Sequence, residues 1–480
     1  MRLTTLAGAA VLAALAGCAA PPPAPGPNQS AAVAQSVVTQ RARNVIFFLG
    51  DGMGINTMTA ARIFAAGEDG QLTIDTLPES AFVKTYSNNA QVTDSAASMS
   101  AYMTGVKQDN GVISMSGDTR SIAPGPGLAS RCQNGRPVPT LAEMAKQRGM
   151  AVGVVTTTSV TDATPAATYA HVCHRGLETD IAAALVPGGA GYNASLGTGL
   201  DLVFGGGAQF FRPAAQGGKR GDGRDLLAEL AARGYGVATL PAQMNAFSPA
   251  ARQPVIGLFG QNMLEFEAVR DPHRQPGLAE MTSKAIDLLS QRPNGFFLMV
   301  EGGLIDHALH ATLAKRALQE TVAYDDALKA AIDKMRQVDP GLAHTLIVAT
   351  ADHDHTLLIN GYSPRTGKTT PANPGILGLV RGLPDGKLKL DKDGAPYTIL
   401  GFGTGEHRVQ GSRAAQAGLT DTIASADDYH QEAAIRVAPG SETHGGSDVY
   451  LGAIGANAEL FRGTIDNTRV FSLIREAAGW

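Results

Sequence analysis

NVIFFLG, residues 44–50, leads directly into Asp51 and is the first of four apolar runs that end near residues able to bind a metal. Continuous apolar runs of this length are typical of strands buried on both faces of a sheet. Because ligands bind beyond the carboxyl ends of the strands in an open parallel sheet, we expect the metal-binding side chains to meet at one edge. In the other three runs, residues 151–155 lead toward Asp162 and Thr164, residues 296–300 meet Glu301, and residues 345–349 precede Asp352 and His353.

Helices are predicted between these runs. TLAE at residues 140–143 has the spacing of a capping box, and the helix that it begins would end at Gly149, before a strand from Met150. This alternation predicts an α/β fold with a doubly wound, mostly parallel central sheet and helices on both faces. Further helices are predicted over 225–233, 276–291 and about 309–338, and a further strand over 202–207, LVFGGG, which ends in a glycine turn.

The composition is that of a globular protein without a strong charge. Of 480 residues, 44% are hydrophobic and 17% are charged. The net charge of −4 provides no basic field, so nucleic acid binding is not expected and an anionic substrate must be held by local groups.

The cysteines are candidates for a disulfide and not for metal ligands. Besides Cys18, only Cys132 and Cys173 occur, and in an exported chain they can form one disulfide or stay as buried thiols. No cysteine cluster has the spacing of zinc ligands. Any metal is therefore expected on histidines and carboxylates.

The N-terminus predicts export. Met1 and Arg2 precede an apolar stretch over 3–15 that is too short to span a bilayer, as in a secretory signal peptide. LAGC at residues 15–18 resembles the lipobox of bacterial lipoproteins, which favours removal of residues 1–17 and acylation of Cys18 over simple secretory cleavage nearby. We therefore expect a periplasmic or cell-envelope protein, anchored to a membrane by a lipid on Cys18, with a Pro/Ala-rich spacer over 18–43.

The predicted alternation of strands and helices stops over residues 360–440. This stretch is rich in Gly, Pro and Ser, and we interpret it as an insertion whose only convincing strand is 396–402. His407 and His430 lie inside it. We interpret both as surface or turn histidines, because neither lies in a ligand-spaced cluster.

Two sets of three side chains are suited to zinc. Asp306 and His310 stand four residues apart where a helix is predicted to begin, so they share one face and can bind one ion. His444 could supply the third ligand of that ion. The second set consists of Asp51, Asp352 and His353.

A third set presents only oxygen atoms and is suited to Mg²⁺. It consists of Thr164 and Glu301, with Asp51 as a shared bridge. Taken singly, each metal candidate has a plainer explanation, such as a turn, a helix cap or a solvated helix pair. Their joint placement at one predicted sheet edge favours a multi-metal hydrolase. Asp354 and His355 are interpreted as supporting residues around the ligands.

Ser95 is the candidate nucleophile. It precedes a stretch of small residues, and a helix N-terminus at this point would offer free N–H groups and a favourable dipole to a phosphate. The alternative is that Asp94 or Ser95 is only a helix N-cap. Arg175 follows DATP, residues 162–165, by a short helical span, and its planar guanidinium matches two phosphate oxygens.

Taken together, the motifs resemble those of the alkaline phosphatase family. They are DGMG at 51–54, TDSAA at 93–97, DATP at 162–165, EGGLID at 301–306, ADH at 351–353 and THGG at 443–446. The resemblance covers residues 44–480, the predicted catalytic domain, and residues 360–440 are similar to the crown of that family's dimers. It implies a homodimeric enzyme that hydrolyses small-molecule phosphate monoesters to an alcohol and phosphate through a phosphoserine on Ser95, with net retention at phosphorus.

The resemblance also implies two Zn²⁺ and one Mg²⁺ per subunit, with Arg175 holding the transferring group. Carried over by position, the first zinc falls on Asp306, His310 and His444, the second on Asp51, Asp352 and His353, and the magnesium on Asp51, Thr164 and Glu301.

At two further site positions, members of that family carry different residues. His307 stands where some members carry Lys, and Asp162 keeps an Asp that others replace by His. Because an ordinary imidazole, with a pKa near ~6.5, is mostly neutral at alkaline pH, His307 is expected to hold the phosphate product less tightly than Lys would.

Three rival functions can be weighed. A sulfatase needs Pro two residues and Arg four residues after its nucleophile, but Ala97 and Met99 occupy those places after Ser95. A phosphodiesterase of the same superfamily shares the metal core, although Arg175 favours the dianionic monoester. The third alternative is a non-catalytic lipoprotein that binds metal or phosphate, and the complete set of nucleophile, arginine and metal ligands argues against it.

Overall fold

Strands and helices alternate along the chain in the computed structural model, which describes residues 41–121 and 135–480. The strands are β1 (Asn44–Gly50), β2 (Glu79–Lys84), β3 (Ala151–Ser159), β4 (Leu202–Gly206), β5 (Gly236–Ala238), β6 (Val255–Leu258), β7 (Phe296–Gly302), β8 (Thr345–Ala351), β9 (Asp354–His355), β10 (Leu357–Ile359), β11 (Leu400–Gly405), β12 (Ala433–Arg436), β13 (His444–Gly445), β14 (Val449–Gly455) and β15 (Gly463–Asp466). The helices are α1 (Ile55–Ala66), α2 (Ser95–Thr104), α3 (Leu141–Gln147), α4 (Ala163–Tyr169), α5 (Glu178–Ala183), α6 (Ala208–Phe211), α7 (Leu226–Ala232), α8 (Pro241–Ala246), α9 (Leu278–Leu289), α10 (Leu304–His310), α11 (Ala314–Val338), α12 (Asp421–Ala424) and α13 (Asn467–Ala478).

A ten-stranded sheet forms the centre of the fold, in the order β15-β2-β14-β8-β1-β7-β3-β4-β6-β5. Within it, β14 runs antiparallel to both of its neighbours, and every other neighbouring pair is parallel. The prediction of a mostly parallel central sheet is confirmed.

The four apolar runs of the sequence become four adjacent strands, β8-β1-β7-β3, and almost all of their residues are buried. Their carboxyl ends are level, since Gly50 pairs with both Gly302 and Ala351, and Thr156 pairs with Glu301. The residues that follow these strands therefore meet at one edge of the sheet, as predicted.

Helices cover both faces of the sheet, as the two phenylalanines of β1 demonstrate. Successive strand residues point to opposite faces. Phe47 packs against Tyr102 of α2 with ring centroids 5.5 Å apart, whereas Phe48 packs against Tyr324 of α11 at 5.9 Å. The doubly wound architecture that we predicted is therefore present.

Local signals placed most helices correctly, with one exception. The capping box at Thr140 and Glu143 is formed, and it begins α3. The single helix predicted over 309–338 is wrong, because the chain forms α10 and α11 with a turn between them in which Thr312 has a φ of 55°. This left-handed residue interrupts the helix directly after His310.

The insertion contains more strand than predicted. The single strand predicted over 396–402 lies slightly later, at β11, and it pairs with β10 on one side and with β12 on the other. The expectation of only one strand is wrong. β12 is short, and three of its four residues are exposed, so it lacks the buried or alternating pattern from which strands are predicted.

Several N-terminal predictions lie outside the described residues. These are the signal peptide over 1–17, the acylated Cys18 and most of the spacer over 18–43. Cys132 also lies outside them, while Cys173 is disulfide-bonded. Within residues 41–121 and 135–480, no helix has the length and apolar character needed to cross a membrane.

Candidate active site and metal centre

Ser95 is the first residue of α2 and lies at the carboxyl edge of the sheet. Its Oγ atom is 3.4 Å from Asp51 Oδ1 and 3.3 Å from His353 Nε2, and the residue is only 3% exposed. Asp94 is the N-cap of this helix, because its side chain accepts a hydrogen bond from the Ala97 N–H at 3.0 Å. The cap thus fixes the start of the helix and directs Ser95 toward the candidate metal ligands.

The first predicted zinc set comes together around one carboxylate oxygen. Asp306 Oδ1 lies 3.3 Å from His310 Nε2 and 3.4 Å from His444 Nε2. Asp306 and His310 share one face of α10, and His444 comes from β13, which pairs with β9. Together with His355, these residues offer ligand atoms that all lie within 4.8 Å of one another.

The second predicted zinc set lies beside the first. His353 Nε2 is 3.2 Å from Asp51 Oδ1 and 3.4 Å from Asp352 Oδ2. The other oxygen of Asp352 accepts hydrogen bonds from the backbone N–H groups of Gly52 and His353. Asp352 Oδ2 itself is buried without a hydrogen-bond donor, so an anionic oxygen is left for a cation.

The predicted magnesium set has the same feature. Thr156 and Thr158 donate their hydroxyls to Glu301 Oε2, while Glu301 Oε1 is buried without a hydrogen-bond partner. Thr164 Oγ1 lies 3.2 Å from Asp51 Oδ2. The available atoms are all oxygens, which suits a hard divalent cation.

The histidines are oriented to bind metals through Nε2. The Nδ1 atom of His310 faces the Glu442 carbonyl, that of His444 faces the Thr93 carbonyl, and that of His353 faces the Asp354 carbonyl. A proton on Nδ1 satisfies each carbonyl and leaves a lone pair on each Nε2. Since the Nε2 atoms of His310 and His444 are only 3.2 Å apart, a shared cation would resolve their repulsion. The residues present therefore fit the metals.

Burial and mutual charge perturb the carboxyl groups at this edge. Burial, with the charge of Asp51, raises the pKa of Asp352 to about 8 and that of Glu301 well above its usual range. For Asp306, burial acts in the same direction, but the neighbouring His310 outweighs it and holds the pKa well below its usual range. Carboxyl groups with such opposite shifts, gathered in one place, are typical of a functional site.

Arg175 lies where a phosphate could be held. Its guanidinium contacts Asp94 Oδ2 at 3.3 Å and Asp162 Oδ1 at 3.0 Å, and its side chain is 32% exposed. Asp162 is the N-cap of α4, the helix that also carries Thr164. The two carboxylates hold the guanidinium near the metal ligands and leave part of it open to solvent.

His307 lies 3.8 Å from Asp162 through its Nε2 atom. Burial alone lowers the pKa of His307, but the contact with Asp162 and the charges of Asp306 and Asp51 outweigh it and raise the pKa to about 9. Without bound metals, this raised pKa places the loss of charge at a higher pH than the ordinary pKa of an imidazole does. Metals bound by Asp306 and Asp51 would cancel part of this field and move the pKa back down.

Some supporting residues were missed by sequence reasoning. Glu442, only 1% exposed, binds His355 Nδ1, and His355 Nε2 in turn lies 2.7 Å from Asp306 Oδ1. Proximity to His444 was the only signal for Glu442. Thr156 and Thr158 were also missed, although they alternate along β3 next to the predicted site.

Comparisons with known proteins agree with this geometry. The sequence matches the family described as alkaline phosphatase over residues 42–480. It is 35% identical to the alkaline phosphatase of Gadus morhua, covering 89% of this chain and 90% of that one, and 36% identical to the tissue-nonspecific isozyme of Gallus gallus, covering 88% and 82%. The fold is similar to the crystal structure of Thermus thermophilus alkaline phosphatase, with a TM-score of 0.65, 25% identity and 92% coverage of both chains. The chain therefore belongs to the alkaline phosphatase family, and it is a metal-binding enzyme that hydrolyses phosphate monoesters.

Proposed function

We propose that Ser95 carries the phosphoryl group during hydrolysis. Its Oγ atom forms a bond to phosphorus as the ester bond to the leaving alcohol breaks, which produces a phosphoserine. Water then attacks phosphorus and releases inorganic phosphate, which restores the Ser95 hydroxyl. Two in-line displacements give net retention of configuration at phosphorus.

The surrounding residues support this sequence of steps. Arg175 would bind two non-bridging oxygens of the substrate in place of part of its present contacts with Asp94 and Asp162. The start of α2 presents backbone N–H groups toward the same region. Divalent cations, when bound, supply Lewis acidity that favours the Ser95 alkoxide and balances charge on the leaving oxygen.

We assign two Zn²⁺ and one Mg²⁺ to the three ligand sets. The orphaned oxygens Asp352 Oδ2 and Glu301 Oε1 and the converging imidazole nitrogens support this assignment. Metal analysis of the purified protein tests it. We expect that Glu301→Gln lowers the magnesium content while the two zinc sets stay filled, whereas equal loss of both metals would contradict the assignment.

One observation carries the proposed mechanism: Ser95 Oγ lies within 3.4 Å of Asp51 Oδ1 and 3.3 Å of His353 Nε2, so a cation held by these two ligands would contact the hydroxyl. A serine in this position can act as a nucleophile at the pH at which the enzyme works.

The test is Ser95→Ala, with Ser195→Ala as control because Ser195 is an exposed serine that belongs to none of the ligand sets. We expect that Ser95→Ala no longer traps labelled phosphate from a monoester, while the control traps it at the wild-type yield. Labelling of the Ser95→Ala protein at wild-type yield would refute the assignment. A parallel assay with a phosphate diester distinguishes the enzyme from a phosphodiesterase, which would favour that substrate.

We further propose that the enzyme is exported and anchored by a lipid on Cys18. The apolar segment over 3–15 and the LAGC sequence at 15–18 support this location. The variant Cys18→Ser should then move from the membrane fraction to the soluble fraction of the cell envelope. Membrane retention of the processed variant would count against the lipid anchor.

We also propose a homodimer that associates through the insertion. Support comes from large apolar side chains that this region leaves exposed, since Tyr362 is 92% exposed, Leu383 65%, Ile435 59% and Leu390 55%. Exposed apolar surface of this kind is typical of protein interfaces. Light scattering of the wild type and of Tyr362→Glu should give a dimer and a weakened dimer, respectively, and a monomeric wild type would exclude the proposal.

A further inference from the structure

A second cluster of metal-ligating side chains lies in the insertion, apart from the catalytic centre. Glu406 and His407 directly follow β11, and His430 precedes β12, the strand that pairs with β11. Glu406 Oε1 lies 3.0 Å from His407 Nε2 and 2.8 Å from His430 Nδ1. The two imidazole centroids are 4.8 Å apart, and the three potential ligand atoms all lie within 4.8 Å of one another.

The donor set has the chemistry of a zinc site. Two imidazoles and one carboxylate form a three-ligand set that binds zinc and leaves a fourth position to water. Tetrahedral zinc, with bonds of about 2.0–2.1 Å, holds its ligand atoms roughly 3.3 Å apart. The 3.0 Å separation between Glu406 Oε1 and His407 Nε2 therefore needs only a small expansion, which His407 can provide because its side chain is 54% exposed.

His430 is oriented in the same way as the catalytic histidines. Its Nδ1 atom lies 2.7 Å from the backbone carbonyl of Ala311. Because Nδ1 then shares its proton between that carbonyl and Glu406 Oε1, the lone pair is on Nε2, the tautomer in which His310 and His444 would bind a metal. A backbone acceptor of this kind fixes both the ring orientation and the metal-binding nitrogen.

The cluster also connects the insertion to a catalytic helix. Ala311 is the C-cap of α10, one residue after His310. The next residue, Thr312, accepts a hydrogen bond from the Gln431 N–H at 3.0 Å through its carbonyl. A metal held by Glu406, His407 and His430 would therefore brace the end of the helix that carries two ligands of the catalytic centre.

We propose that Glu406, His407 and His430 form an additional zinc-class metal site that links the insertion to the C-terminal end of α10. The site is separate from the catalytic ligand sets, and its role is structural. Because His407 is exposed and His430 is only partly buried, the metal of this site should exchange more readily than the metals at the buried sheet edge.

The experiment compares zinc binding by the full-length holoenzyme and by His407→Gln, with His273→Gln as control because His273 is an exposed histidine outside the cluster. Limited chelation should release one zinc per chain from the wild type while phosphatase activity is retained. His407→Gln should lack this zinc or bind it at least roughly 10–100-fold more weakly. The control should match the wild type.

A second measurement keeps the test valid if a variant folds poorly. Readdition of Zn²⁺ to the partly chelated wild type should raise its Tm, and the rise should be absent in His430→Gln, a variant that retains the surrounding chain. Equal zinc content and equal Tm response in wild type, His407→Gln and His430→Gln would overturn the proposal. Loss of activity together with the first zinc released would also overturn it, because that zinc would then belong to the catalytic centre.

Discussion

The carboxyl edge of the sheet and the insertion differ in how their acidic side chains are paired. At the edge, Asp51, Asp352 and Glu301 are at least 94% buried, and each has its neighbours among other acids, histidines and hydroxyls. In the insertion, acidic groups are matched by arginines near the surface. Arg413 contacts Asp391 at 2.5 Å and Glu432 at 2.6 Å, and Arg381 contacts Asp421 at 2.7 Å.

This difference explains why the carboxyl edge of the sheet needs bound metal ions. Burying a carboxylate without a cationic partner costs folding free energy, so bound cations are needed to balance the charge of the carboxylates at the sheet edge. The ion pairs of the insertion are satisfied by the chain itself and contribute little or modest stability. The catalytic edge therefore loses stability unless metals are bound, whereas the arginine–carboxylate pairs of the insertion need no metal.

The strongest test of this contrast is metal removal. Each bound metal supplies several kcal/mol of transition-state stabilisation, so chelation should lower kcat by about 10³-fold or more, and Zn²⁺ with Mg²⁺ should restore it. Turnover of a chromogenic monoester before and after chelation measures the effect. Full activity in a verified metal-free preparation would contradict the proposed centre.

Metal removal should also make stability depend on pH. The folded-state pKa values of Asp352, about 8, and His353, about 9, are both raised above their unfolded values. Stability from such groups is present below the unfolded pKa and is lost as pH rises through the folded pKa. The Tm of the chelated enzyme should therefore fall between pH 7 and pH 9, whereas that of the metal-loaded enzyme should change much less.

A pair of arginine substitutions compares the two regions directly. Arg175→Ala removes two charge-assisted hydrogen bonds to phosphate, each contributing about 1.5–3 kcal/mol, so kcat/KM should fall by roughly 10²–10⁴-fold. Arg413→Ala removes the same charge from the insertion and should leave kcat/KM near the wild-type value. Unchanged phosphate inhibition of Arg175→Ala would show that its guanidinium does not bind the substrate.

A buried carboxyl group outside both regions sharpens the comparison. Glu320 in α11 is 5% exposed, and burial raises its pKa to about 7 although the Glu267 N–H donates to it. Because the folded pKa is raised, ionisation at high pH destabilises the fold. Glu320→Gln should therefore increase the free energy of unfolding by about 1–3 kcal/mol at pH 8 and have little effect at pH 5.

Denaturant unfolding at the two pH values measures this effect. Glu265→Gln, a substitution of an exposed glutamate, is the matched control and should show no such pH dependence. A Glu320→Gln variant that is equally destabilised at both pH values would mean that loss of packing, and not buried charge, dominates.

The smallest expected effect concerns product release. Asp162, Asp306 and Asp51 raise the pKa of His307, and bound metals would offset part of that rise, so phosphate binding by His307 and by a Lys at this position should differ least at the acidic end of the range, near pH ~6. At pH ~10 the imidazole is mostly neutral, so His307→Lys should strengthen phosphate inhibition by up to about fivefold, the effect of a partly exposed charge contact. Phosphate inhibition constants across this pH range decide the point. A ratio that does not change with pH would exclude titration of His307 as the cause.

Much of the catalytic edge could be predicted from the sequence because its signals are local. The apolar run at 44–50 specifies a buried strand by itself, and a parallel sheet places Asp51 at the carboxyl edge whichever strands lie beside it. Asp306 and His310 share a helix face because they are four residues apart. The capping box at Thr140 and Glu143 is likewise a short-range signal that needs no tertiary contact.

Long-range contacts decided the remainder. The break at Thr312 separates α10 from α11 within one apparent helical pattern, and Glu442 reaches His355 across 87 residues of chain. His407 and His430 were interpreted as surface or turn histidines because neither lies in a ligand-spaced cluster of the sequence, yet the pairing of β11 with β12 brings them together with Glu406. The sequence alone determined the four central buried strands, the sheet edge at which they end and the ligand types, because periodicity and spacing act within a few residues. Only the tertiary structure decided which charged and polar side chains distant in sequence come into contact, because those contacts depend on the strand order and on how the loops close.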